Sequence, residues 1–139
     1  MTIKGLIFDF DGLILDTETP EYTAWKEIFQ KYHLQFPAEK YLSTIGATPD
    51  NRGPFEYLKE QISNAIDFGE IEKHLHKRFN ELLQDEVIRP GVSGFINLAK
   101  SKGLKLGVAS SASNNWVYGN LKRLKLIHYF NWRLSLDSR

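Results

Sequence analysis

The sequence predicts an α/β protein: a parallel sheet with a block of helices inserted into its first crossover. Two short apolar runs, Ile3-Lys4-Gly5-Leu6-Ile7-Phe8 and Leu104-Lys105-Leu106-Gly107-Val108-Ala109, have the length and β-former content of strands buried on both faces of a parallel sheet. A helical pattern from Val92 to Ser101 immediately precedes the second run, with Gly103 where a helix C-cap belongs. Helix, short loop and buried strand in that order make half of a βαβ unit. The stretch between the two strands shows helical spacing and no β pattern, so it is expected to be an insertion.

The elements follow in order. Thr19-Pro20 is an N-cap and first-turn pair, after which Tyr22, Trp25, Ile28, Phe29 and Tyr32 recur at helical intervals. Pro37 opens a second helix through Ile45, and Pro54 a third with Phe55, Leu58 and Ile62 inward. A fourth runs from Glu70 to Leu83 on an apolar face of Ile71, Leu75, Phe79, Leu82 and Leu83. Gly46 to Gly53 is dense in turn formers and forms a loop, and Arg89-Pro90-Gly91 marks the return to the sheet. The helix from Val92 to Ser101 carries Phe95, Leu98 and Ala99 at helical spacing, and the helix after the second strand, Asn114 to Leu124, places Val117, Leu121 and Leu124 on one face. Asn131 to Leu136 alternates apolar and polar residues, the pattern of an edge strand. The core therefore comprises residues 1–16 and 88–139, and the helical insertion residues 17–87.

Composition narrows the function. With 42% hydrophobic and 25% charged residues the chain is an ordinary globular protein. Its 18 Lys and Arg against 17 Asp and Glu give no electrostatic case for nucleic acid or an anionic membrane as partner. The absence of cysteine excludes thiol catalysis, disulfides and thiolate metal sites. No segment is long and apolar enough to span a bilayer, and Asp9 and Asp11 interrupt the only run that resembles a signal core. A cytoplasmic location is the expectation.

The chemistry is concentrated in Asp9-Phe10-Asp11-Gly12-Leu13-Ile14-Leu15-Asp16-Thr17-Glu18. Two carboxylates at i and i+2 lie where a buried strand ends, the side of an open α/β sheet that forms the binding crevice. Strand periodicity points both to the same side, and Gly12 frees the backbone to turn. One such Asp is ordinarily a turn or helix cap. Two after an apolar run call for a compensating cation, because burying an isolated carboxylate is costly. A hard divalent ion with oxygen ligands, Mg²⁺, suits Asp9 and Asp11.

This decapeptide resembles motif I of the haloacid dehalogenase superfamily, in the phosphatase and β-phosphoglucomutase-like branch written DxDGxxxDTE. Asp9, Asp11, Gly12, Asp16, Thr17 and Glu18 match its specified positions. The resemblance extends from Ile3 to Phe130 and implies a Rossmannoid parallel-sheet core with a helical cap inserted after motif I. It implies Asp9 as nucleophile, forming an aspartyl-phosphate, and Asp11 as general acid and base. It also implies Mg²⁺ held by Asp9 and the backbone carbonyl of Asp11, and a small phosphorylated metabolite as substrate. Ser110 falls at motif II, so its hydroxyl and the Ser111 N–H, with Gly12, would hold phosphoryl oxygens. Ser110 has a second reading as the N-cap of the following helix. Asp at position 11 favours phosphoryl transfer, since the dehalogenases of the superfamily carry another residue there.

Other residues carry less. Arg52 sits in the cap loop, where relatives place a substrate-gripping cation, although a solvated loop Arg is the simpler reading. Glu21 occupies the hinge position where β-phosphoglucomutase relatives carry a His. His74 and His76 point to nearly opposite faces of one helix. Tyr22, Trp25 and Phe29 belong to the helical core, and Lys73, Lys77 and Arg78 to a solvated face. Two elements of the superfamily site have no counterpart: a Lys beyond motif II and a later acidic pair, the only acid after Ser110 being Asp137. The sequence thus reads as an incomplete core ending early. It leaves three functions open: a Mg²⁺-dependent phosphatase, a phosphomutase, or a catalytically deficient fragment.

Overall fold

The computed structural model describes residues 2–47, 53–62 and 67–134. The chain divides into two compact units, Met1–Thr17 with Glu86–Arg139, and Glu18–Asp85.

In the first unit, β1 (Gly5–Phe8), β2 (Lys105–Ala109) and β3 (Trp132–Leu134) form a parallel sheet in the order β1-β2-β3. The register pairs Leu6 with Leu106 and Phe8 with Val108, so these four side chains share one face. Leu106 and Val108 are buried, and the Phe8 ring meets the edge of buried Phe130 at 5.9 Å. The expectation of a first strand buried on both faces fails. Ile7 is 73% exposed, because β1 is an edge strand and the residue beside Ile7 in the register is Gly107, which offers no side chain to cover it. The last strand lies at the opposite edge, as its alternating pattern predicts.

The helix before β2 spans Val92–Ser101 and packs on that strand. Gly103 adopts φ 68°, and the Leu104 N–H donates to the Ala99 carbonyl at 2.9 Å, closing the helix as its sequence predicts. The buried face, however, is Val92, Ile96 and Ala99, while Phe95 and Leu98 are exposed. Apolar residues on this helix make two stripes that share Ala99, and spacing alone does not decide which one meets the sheet. The helix after β2 spans Asn114–Arg123 and buries Val117, Asn120 and Leu121.

After β1 the chain turns tightly. Gly12 takes φ 71°, a conformation that disfavours other residues, and the Ile14 N–H donates to the Phe10 carbonyl at 2.9 Å. Phe10, Ile14 and Leu15 are fully buried. Leu15 then bridges antiparallel to Ile88, the Arg89 N–H donates to the Ile14 carbonyl at 3.0 Å, and the Arg89 guanidinium meets Asp16 at 3.2 Å. Outgoing and returning chain are thereby tied together.

The helical unit contains α1 (Glu18–Lys31), α2 (Ala38–Leu42), α3 (Gly53–Gln61) and α4 (Phe68–Gln84). Its core includes Trp25, Ile28, Phe29, Tyr41, Leu58 and Ile71. Helix α1 starts at Glu18, so Thr19 lies inside the first turn instead of capping it. Pro20 is tolerated there because first-turn N–H groups have no intrahelical partner. Helix α2 stops at Leu42, short of Ile45. The sequence reading overlooked Asp67, whose side chain accepts the Gly69 and Glu70 N–H groups and caps α4.

Arg78 also departs from expectation. Lys73 and Lys77 are exposed partners of Glu70 and Glu81 along α4, but Arg78 reaches across to α1 and grips Glu27 in two contacts of 2.7 and 3.0 Å. This fork holds the Glu27 carboxyl below its usual range. A depressed carboxylate adds stability that is present above its unfolded value and lost as pH falls through the folded one. The melting temperature of Glu27→Gln should therefore lie below that of the parent at pH 7, with the gap closing as pH drops below about 4. Burial gives a second contrast. Phe10→Ala should lower unfolding free energy by about 3–5 kcal/mol in urea titration, whereas Phe95→Ala should change it by less than about 0.5 kcal/mol.

Candidate active site

Parallel pairing of β1 with β2 ends at Phe8 and Val108, so the residues that follow each strand emerge side by side. From β1 come Asp9, Phe10 and Asp11. Phe10 is driven fully into the core, leaving an acid on either side of it: Asp9 exposed and Asp11 half-buried. The expectation that both carboxylates are buried is therefore corrected; the open edge of the sheet leaves Asp9 in solvent. An Asp9 carboxylate oxygen accepts the Phe10 N–H at 2.7 Å.

From β2 comes Ser110. Its hydroxyl donates to Asp11 Oδ2 at 3.0 Å, a contact between residues 99 positions apart, and its oxygen accepts the Ala112 N–H at 2.9 Å. The reading of Ser110 as a helix cap is overturned, because Ser113 caps the helix by accepting the Trp116 N–H at 3.3 Å. Ser111 is exposed beside it. The second oxygen of Asp11 accepts a hydrogen bond from Trp116 Nε1 at 2.9 Å. Sequence reasoning missed Trp116. The available signal was a Trp one turn into the helix that follows the strand tip, since a half-buried indole N–H requires an acceptor.

Among the described residues, no Lys or Arg comes within ion-pair distance of Asp9 or Asp11. The donors on Asp11, the Ser110 hydroxyl and the Trp116 indole N–H, are both neutral. An all-oxygen donor set of this kind suits a hard divalent cation. Among the described residues no three His, Asp or Glu side chains converge to hold a metal.

The weaker candidates belong to the helical unit. Arg52 lies outside the described residues, as does Asp137. Glu21 is half-buried and lines a cleft of about 190 Å³ with Trp25, Thr44, Phe55, Glu72 and His76. His74 lines a different cleft, beside Lys31 and Glu70. Burial, reinforced by nearby Glu18, pushes the Glu21 carboxyl above its usual range, and a hydrogen bond with Trp25 partly offsets this.

The haloacid dehalogenase-like hydrolase family matches residues 6–138, and the chain belongs to it. It is 45% identical over 128 residues to the Bacillus subtilis (strain 168) protein named "Putative phosphatase YhcW", covering 92% of this chain and 58% of that one. It is 28% identical over 133 residues to the Thermotoga maritima "Phosphorylated carbohydrates phosphatase", covering 93% and 59%. Among solved structures, the "putative beta-phosphoglucomutase from Thermotoga maritima" shares the fold at a TM-score of 0.78 and 24% identity, across 99% of this chain and 63% of that one. The chain thus spans about three-fifths of the length of these relatives. The likeness establishes the α/β fold with its parallel sheet and helices. No helix among the described residues is long and apolar enough to cross a membrane.

A carboxyl whose folded pKa is raised is harder to ionise in the native state, so it reduces stability as pH climbs through and above the unfolded value. Glu21→Gln should accordingly raise the melting temperature at pH 7, and the gain should disappear below about pH 4.

Proposed function

We propose that the site formed by Asp9, Asp11, Gly12, Ser110 and Ser111 hydrolyses phosphomonoesters of small metabolites with Mg²⁺. The observation that carries this reading is the meeting of Ser110 and Asp11 at the tips of paired strands, beside an exposed Asp9.

Asp9 attacks phosphorus; the bond to the ester oxygen breaks as the new one forms, giving an aspartyl-phosphate. Asp11 donates a proton to the departing alkoxide, without which an alkyl leaving group is poor. Asp11 then takes a proton from water as that water attacks phosphorus, returning Asp9 as carboxylate and releasing inorganic phosphate. The Ser110 hydroxyl and Ser111 N–H, on the turn after β2, hold the transferring oxygens. Mg²⁺, held by Asp9 and the Asp11 backbone carbonyl, would supply screening of the repulsion between carboxylate and phosphoryl oxygens. The helical unit acts as a cap that selects the substrate, with Arg52 and Glu21 as its candidate contacts.

Phosphate release from a panel of sugar and polyol phosphates tests this. Turnover should vanish on chelation of the metal and in Asp9→Asn. Asp11→Asn should lose about 10²–10⁴-fold on alkyl esters. Transfer of phosphate to another hydroxyl of the substrate, without free phosphate, would point to the mutase reading. A folded chain that binds phosphate but turns nothing over would point to the deficient one.

A further inference from the structure

Asp11 is held from two directions. Ser110 Oγ donates to Oδ2 at 3.0 Å and Trp116 Nε1 to Oδ1 at 2.9 Å. The donors arise from independent pieces of structure: the tip of β2, and the first turn of a helix whose start is fixed by the Ser113 cap. Two bonds to the two oxygens of one carboxylate set its plane as well as its position. One bond alone would leave the plane free to swing.

Ser110 cannot serve as a permanent clamp under the reading above, on which this inference rests. A hydroxyl has a single proton to donate, and a phosphoryl oxygen would claim it. An indole N–H is a donor only and has no such competing assignment in the reaction.

We propose that Trp116 is the positioning residue for Asp11, holding the carboxyl in place when substrate takes the Ser110 hydroxyl. Its effect on formation of the aspartyl-phosphate should appear only where the leaving group must be protonated.

Trp116→Phe keeps the ring and removes the N–H. On glycerol phosphate, whose alkoxide needs a proton, kcat/KM, which reports the steps up to aspartyl-phosphate formation and not its hydrolysis, should fall roughly tenfold or more. On p-nitrophenyl phosphate, whose leaving group departs as an anion, it should change little. Equal losses on both substrates, or none on either, would overturn the proposal, the former indicating a merely structural role. An independent readout uses the chain without substrate: the Trp116 Nε1–H resonance should move upfield in Asp11→Ala, and an unmoved signal overturns the proposal whatever the activity. A parent chain inert on both substrates, with the resonance still responding, would defeat the phosphatase reading and leave the indole contact with a structural role alone. Selective loss in Asp11→Asn but not in Trp116→Phe would defeat only the inference about Trp116.

Discussion

The arrangement depends on the parallel register of β1 against β2. Leu6 beside Leu106 and Phe8 beside Val108 bring two strand tips together although the residues that leave them are 99 positions apart in sequence. Everything polar at the site follows from that alignment. A shift of one residue would turn Leu106 and Val108 to the other face, so burial of those two side chains fixes the register and the register fixes where Asp11 meets Ser110. The short apolar runs and the reactive residues after them are therefore one device: the first positions the second.

Burial of Phe10 completes it. An aromatic ring between two acids commits the intervening backbone to the core, and Gly12 then lets the chain reverse so that Ile14 and Leu15 are buried in turn. The acids are displayed because their neighbours are not. Hydrophobic burial, about 25 cal/mol for each Å² of apolar surface, thus stabilises a local concentration of negative charge that electrostatics alone would disperse.

Much of this was legible in the sequence. The strands, the helix ends marked by Gly103 and the helical spacing of Trp25, Ile28 and Phe29 follow from local rules, and the structure bears them out. What sequence could not supply was context. Phe95 and Ile96 are equally apolar, and only the sheet decides which is covered. Asp9 was expected to be buried because its strand is apolar, yet an edge position leaves it in water. Trp116 and Arg78 act through partners 105 and 51 residues away, contacts invisible to any local pattern. The reverse also holds: Asp67 caps its helix by a wholly local rule, and its place before Phe68 and Gly69 concealed it because the helical pattern becomes evident only at Glu70.

The central claim is chemical: Asp9 is the group that accepts phosphorus. The most direct measurement is to expose the chain to acetyl phosphate with Mg²⁺, quench in acid, reduce with borohydride and map the peptides by mass spectrometry. Reduction of an acyl phosphate at Asp9 would convert that residue to homoserine, and this is the predicted result. Phosphate retained on Ser110, or modification at Asp11 with Asp9 untouched, would contradict the account.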